Sequence, residues 1–142
     1  MITRGQPFRI LLVDDDHMCR SVTVHLLEAC GYEVVAVADG RAAVAAAVRE
    51  PFALVLMDIM MPEMDGYEAV ALIRERERPG DARLPVVALT GFSGREDREG
   101  FLAAGFDDCL SKPADMETLR ETIERNARTV SQDAWMSSGS DE

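Results

Sequence analysis

The sequence predicts an α/β domain: a doubly wound parallel sheet with helices on both faces. Three observations carry the prediction. Short apolar runs alternate with segments whose apolar residues recur at helical spacing. The runs are nearly continuous rather than alternating in apolar character, which marks strands covered on both faces. The chain has 142 residues, 47% apolar and 29% charged, the size and composition of one globular domain with a real core.

The elements follow in order. Residues 9–13 (RILLV) are the first strand, followed directly by Asp14, Asp15 and Asp16. Met18, Val22, Leu26 and Cys30 recur every four residues and predict the first helix, with Gly31 as its C-cap. Residues 33–37 are the second strand, and Asp39-Gly40 the turn after it. Arg41 to Glu50 is alanine-rich and helical, stopped by Pro51. Residues 52–57 (FALVLM) are a fully apolar third strand ending at Asp58. The segment 61–66 (MPEMDG) carries Pro and Gly and is a turn-rich connection. Tyr67 to Arg78 is helical, with Ala69, Val70 and Ile73 on one side, and 79–83 is a loop. Residues 84–89 are the fourth strand, ending in Thr90. Gly94 to Ala104 is a helix closed by Gly105, and 108–111 is a short fifth strand ending in Lys112-Pro113. Asp115 begins the last helix, with Met116, Leu119, Ile123, Ala127 and Val130 three or four residues apart. Residues 1–7 read as an arm, 8–129 as the domain, and 130–142 as an acidic tail or linker.

Charge narrows the function classes. Asp plus Glu number 26 against 15 Lys plus Arg, a net charge of −11. An acidic surface repels phosphate backbones and anionic lipid, so binding of nucleic acid by this chain alone, or of a membrane, is not expected. No apolar run approaches the ~20 residues of a membrane span. The first ten residues lack the apolar stretch of a secretory signal. Cys19, Cys30 and Cys109 form no CxxC pair, which fits a reducing, cytoplasmic location better than a disulfide framework.

The chemistry lies at the strand ends. Strands of a parallel sheet point one way, so the residues after them share one rim, where open α/β sheets bind ligands. Asp14, Asp15, Asp16, Asp58, Thr90 and Lys112 share it. Crowded carboxylates repel unless a cation sits among them, and oxygen-only ligands select a hard ion such as Mg²⁺. Lys112 and the Thr90 hydroxyl can meet phosphoryl oxygens. Such a rim suits phosphoryl transfer, which works by positioning and charge stabilisation, and a carboxylate can accept the group as an acyl phosphate. No Gly-rich phosphate loop ending in Gly-Lys-Ser/Thr is present, which excludes a P-loop NTPase.

Taken singly, each residue has a plainer reading: a turn or cap for Asp58, an N-cap run for Asp14 to Asp16 with Asp16 as the cap, a strand-end hydroxyl for Thr90, a surface lysine for Lys112. Together they come from four separate strands, which packing does not explain. His17 reads as an exposed first-turn residue rather than a metal ligand, and His25 as a surface residue. The cysteines read as small packed hydrophobes. Met57, Met60, Met61 and Met64 read as loop packing, and the charge run 74–78 (RERER) as a solvated helix end.

These residues give the chain a resemblance. Residues 10–16 (ILLVDDD), 56–66 (LMDIMMPEMDG), 86–90 (VVALT) and 103–113 (AAGFDDCLSKP) resemble the receiver domain of two-component response regulators and hybrid sensor kinases, in register over about 8–128. The resemblance implies a flavodoxin-like sheet of order 2-1-3-4-5. It implies Asp58 as phosphoacceptor, taking a phosphoryl group from the phosphohistidine of a histidine kinase or histidine phosphotransfer protein. It implies Mg²⁺, with Mn²⁺ as a substitute, held by Asp14, Asp15, Asp58 and the backbone carbonyl of Met60. Lys112 then pairs with Asp58 and the phosphoryl group, Thr90 bonds a phosphoryl oxygen, and the Lys112–Pro113 bond is cis. The outcome implied is a switch in the surface offered to a partner.

The chain departs from the family pattern at Cys109, where the family usually has an aromatic ring, with Phe92 or Phe106 as substitutes, and at Gly91, where it prefers Ala. Met60 and Phe92 are apolar and offer nothing to orient an attacking water, so a long-lived acyl phosphate is expected. The apolar spacing of the last helix continues to Val130, and on to Ala134 and Trp135, as a linker helix, a dimer contact or a frayed end. Three other classes compete. A haloacid-dehalogenase-like phosphatase matches Asp14 and Asp16 but not Met18, where it needs Thr or Val. An FMN binder is disfavoured by three aspartates after the first strand. An interaction module independent of phosphorylation does not account for the intact acidic rim.

Overall fold

The computed structural model describes residues 8–77, 80, 82–91 and 95–127. The elements are β1 (Arg9–Val13), α1 (His17–Ala29), β2 (Glu33–Val37), α2 (Gly40–Arg49), β3 (Leu54–Asp58), α3 (Gly66–Glu75), β4 (Val86–Thr90), α4 (Arg95–Ala104), β5 (Asp108–Ser111) and α5 (Met116–Ala127). The strands form one five-stranded sheet of order β2-β1-β3-β4-β5, every pairing parallel. This is the flavodoxin-like order implied by the resemblance.

The period-two alternation of each strand divides the core in two. Leu11, Val13, Val55, Met57, Val86 and Ala88 face one side, where Ala43 and Val44 of α2, Val70 and Ile73 of α3 and Phe101 of α4 pack on them. Ile10, Leu12, Leu54, Leu56, Val87 and Leu89 face the other side, against Leu27 of α1 and Leu119 and Ile123 of α5. A strand apolar on both faces therefore reads as a continuous apolar run. The order reverses between β1 and β3, so the crevice above their carboxyl ends is the switch point of the sheet.

Several boundaries differ from expectation. β3 begins at Leu54, with Phe52 and Ala53 buried just before it, and Asp58 is its last residue. β4 begins after Pro85, which has no N–H to give a ladder; its carbonyl accepts the Val55 N–H at 2.9 Å. α3 ends at Glu75, short of the expected helix end. The expected arm 1–7, Arg78, Phe92, the Gly94 helix start, Val130, Ala134, Trp135 and the 130–142 tail lie outside the described residues.

The predicted apolar face of α1 is a correction. Met18 and Val22 are 71% and 55% exposed, while Leu27 is buried and Thr23 and Val24 are half-buried. A strict four-residue spacing overshoots the helical turn and spreads four residues over about 120° of the helix surface. The side facing the sheet carries Val24, Leu26 and Leu27, so of the predicted four Leu26 packs on the core and Cys30 is half-buried, while Met18 and Val22 face outward. Asp16 is the N-cap, accepting the N–H groups of Met18 and Cys19, as expected. The charge run 74–78 is also only partly solvated. Arg74 has a 15% exposed side chain and donates to the carbonyls of Gly105 and Leu84 and to Glu77 and Asp107, tying α3 to the start of β4 and the turn before β5.

Candidate functional site

The carboxyl ends of β1, β3, β4 and β5 converge on one crevice. Asp14 follows β1 and is 1% exposed; Asp58 ends β3 and Thr90 ends β4, each 5% exposed. Such burial is unusual for carboxylates and needs partners. Lys112, the residue after β5, supplies them. Its Nζ donates to Asp58 Oδ2 at 3.3 Å and to Asp14 Oδ2 at 3.4 Å. The Lys112 N–H donates to the Thr90 carbonyl at 2.8 Å, which fixes the end of β5 beside the end of β4. The Lys112–Pro113 peptide bond is cis.

Asp15 joins them from the loop after β1. One carboxylate oxygen each from Asp14, Asp15 and Asp58 lies within 4.8 Å of the others, Asp15 being exposed and the other two buried. The donors are all oxygen, two of them shielded from water, a set suited to a hard divalent cation. His17 is not in the group; it is exposed, with its Nδ1 3.3 Å from Arg20 Nη2.

Backbone geometry holds the two buried carboxylates. Asp14 Oδ1 accepts the Asp16 N–H at 2.9 Å, and Asp58 Oδ1 accepts the Met60 N–H at 3.3 Å. The loop after β3 turns sharply, with Glu63 at φ 69°, a conformation costly for a residue with a Cβ. It then closes onto the strand it left: the Gly66 N–H donates to the Ile59 carbonyl at 2.9 Å, and a Cβ on Gly66 would stand 2.6 Å from the Asp58 carbonyl oxygen. Only glycine fits there. Asp65 and Glu68 cap the start of α3 reciprocally.

Charge couples the crevice. Burial pushes the Asp58 carboxyl above the usual carboxylate range; the Lys112 ammonium opposes this and the Asp14 charge adds to it. Burial also works against the Lys112 ammonium, but Asp58 and Asp14 outweigh it and hold Lys112 above the usual lysine value. The crevice thus carries more negative charge than one lysine offsets, and it favours an added cation.

The remaining expectations divide. Met57 and Met61 are buried and Met64 packs against the core, but Met60 is 75% exposed and packs nothing, a correction. Its side chain points away because its N–H is turned in toward Asp58. His25 is exposed. The three cysteines are free and half-buried. Phe106 does not replace a ring at position 109: it is 1% exposed and locked edge-on between Tyr67 and Phe101, with centroids 6.0 Å away. Two features escaped sequence reasoning, Arg20 donating to the Asp14 carbonyl and a buried, clamped Asp108. Neither has a local sequence signature.

Comparison with known proteins agrees with this geometry. The family model for the response regulator receiver domain matches residues 10–124. The sensor protein GacS of Pseudomonas syringae pv. syringae is 44% identical over 117 residues, which is 81% of this chain and 13% of that protein. The chain therefore spans a small part of that relative. The crystal structure of the receiver domain of sensor histidine kinase PA1611 from Pseudomonas aeruginosa, with a magnesium ion coordinated in its active-site cleft, is 37% identical with a TM-score of 0.77, covering 87% of this chain and 100% of that one. The receiver domain of Ssk1 from Saccharomyces cerevisiae, co-crystallised with the histidine phosphotransfer protein Ypd1, is 25% identical with a TM-score of 0.79, covering 85% of this chain and 89% of that one. With its fold, its acidic crevice and the match of most of its length, the chain belongs to the family of response regulator receiver domains of two-component systems.

Proposed function

We propose that this chain is a phosphorylation-operated switch whose acceptor is Asp58. A phosphohistidine of a histidine kinase or histidine phosphotransfer protein is the donor: its P–N bond breaks, a P–O bond forms at an Asp58 oxygen, and the imidazole leaves. The observation that carries the reading is the convergence of Asp14, Asp15 and Asp58 oxygens within 4.8 Å, with Lys112 bonded to two of them. Asp14, Asp15, Asp58 and the Met60 carbonyl would hold Mg²⁺, or Mn²⁺ in its place. When bound, the ion supplies positive charge against the phosphoryl oxygens. Lys112 keeps its place beside Asp58 and steadies the transferred group, and the Thr90 hydroxyl bonds a phosphoryl oxygen. The phosphoryl group adds about −1.5 to −2 charge to a crevice already balanced by one lysine, and the resulting rearrangement changes the partner surface.

Exposed methionines stand in segments that leave the carboxyl ends of the strands: Met18 in the first turn of α1, Met60 after β3 and Met116 at the start of α5. They support docking of the donor there. Among the described residues no helix is long and apolar enough to cross a membrane. A cytoplasmic location is supported by the three free cysteines. The functional unit proposed is 8–129, with flanking arm and tail, and its downstream partner is a protein.

Intact mass after incubation with acetyl phosphate and Mg²⁺ tests the reading. One added phosphoryl group is expected on the parent, none on Asp58→Asn, and none on the parent without Mg²⁺. An unmodified parent, or an adduct that survives Asp58→Asn, would overturn it.

A further inference from the structure

Arg20 makes a bond that the acidic loop cannot make for itself. It lies at the end of the first turn of α1, and its Nη1 donates to the main-chain carbonyl of Asp14 at 2.9 Å. That carbonyl belongs to the peptide joining Asp14 to Asp15. Asp14 is otherwise well held: its N–H donates to the Val37 carbonyl at 3.2 Å, Oδ1 accepts the Asp16 N–H at 2.9 Å, and Oδ2 accepts from Lys112. Asp15 is different. It is exposed, and among the described residues nothing bonds its carboxylate. The backbone that carries it is held on either side, by Arg20 at the Asp14 carbonyl before it and by Asp16, the N-cap of α1, after it. The second edge of the Arg20 guanidinium, Nη2, rests against His17 Nδ1 at 3.3 Å, which orients the fork.

We infer that Arg20 is a positioning residue for the metal site: it fixes the peptide plane between Asp14 and Asp15 and so sets the affinity of the site for Mg²⁺. This rests on the function proposed above. The inference has a sign that charge alone does not share. A guanidinium near a cation site repels the cation, so by charge alone its removal tightens Mg²⁺ binding. By positioning, its removal loosens it. Lysine keeps the charge but offers a point donor in place of a planar fork, and cannot hold the carbonyl and His17 together.

The experiment is a calorimetric Mg²⁺ titration of the full chain as parent, Arg20→Gln and Arg20→Lys, with acetyl phosphate labelling of Asp58 across a Mg²⁺ series. Both variants are expected to bind Mg²⁺ about tenfold more weakly, the scale of losing an outer-shell partner. Their labelling rate falls at low Mg²⁺ and returns to the parent rate at saturating Mg²⁺. Arg20→Gln binding Mg²⁺ as tightly as the parent, or more tightly, would overturn the inference, as would a labelling defect that saturating Mg²⁺ does not relieve. Should Arg20→Gln fail to fold, Arg20→Lys alone decides. A parent that takes up no Mg²⁺ would remove the proposed function and this inference with it. A parent that binds and variants that match it would remove the inference alone.

Discussion

Met60 stands two residues beyond Asp58 with its N–H turned inward and its side chain 75% exposed. The N–H helps fix the Asp58 carboxylate, the proposed acceptor, while the thioether is a poor hydrogen-bond partner and cannot orient a water molecule. Hydrolysis of an acyl phosphate on Asp58 therefore lacks a helper on this side. The phosphoryl group is expected to outlast that of a Met60→Glu variant several-fold, about 1 kcal/mol of barrier. Decay of the adduct in Mg²⁺ buffer after removal of acetyl phosphate, followed by intact mass, measures this. Equal decay in the two proteins would show that position 60 does not govern lifetime. Phe92, the other apolar residue expected beside the phosphoryl group, lies outside the described residues.

Asp108 organises the edge of the sheet at the scale of elements. It opens β5, is 2% exposed, and binds Arg98 of α4 at 2.7 Å and Arg125 and Asn126 of α5 at 2.9 Å. One carboxylate thus ties two helices across an edge strand. Burial alone would raise its pKa, but Asn126, Arg125, the Cys109 N–H and Arg98 outweigh burial and hold it at about 2. The folded value is below the ordinary one of 3.8, so the folded state binds the proton less readily. The stabilisation is full above the ordinary carboxylate value and is lost as pH falls through about 2. Asp108→Asn is expected to cost about 2 kcal/mol at neutral pH, because both arginines are half-exposed and can turn to water rather than stay buried and unpaired. Urea unfolding between pH 2 and pH 6 checks it: the gap between parent and variant narrows as the acid limit is approached. A gap constant over that range would mean that the Asp108 charge is not what holds the helices.

For the whole molecule, the sheet was legible because each strand is buried on both faces and so appears as a continuous apolar run closed by a polar residue. The strand ends gave Asp14, Asp58, Thr90 and Lys112, and the topology of a parallel sheet brought them together. What the sequence left hidden were relations without a period. The predicted stripe of α1 steps by four and drifts around the helix, so Met18 and Val22 point outward while Leu26 packs on the core. The Asp108 clamp joins three elements, and the Arg20 bond joins a helix side chain to a loop carbonyl. The crevice itself is assembled from four strand ends and exists only in the folded chain. An ion bound there binds the folded state and not the unfolded one, so Mg²⁺ is expected to stabilise the entire fold. The gain is about 1.4 kcal/mol per tenfold Mg²⁺ above the dissociation constant. Denaturant midpoints across a Mg²⁺ series should rise with that slope in the parent. In Asp14→Asn, which removes a buried carboxylate of the proposed ion site, they should stay flat. A parent midpoint indifferent to Mg²⁺ would mean that the three aspartates hold no ion at all, and that their mutual repulsion is met by Lys112 alone.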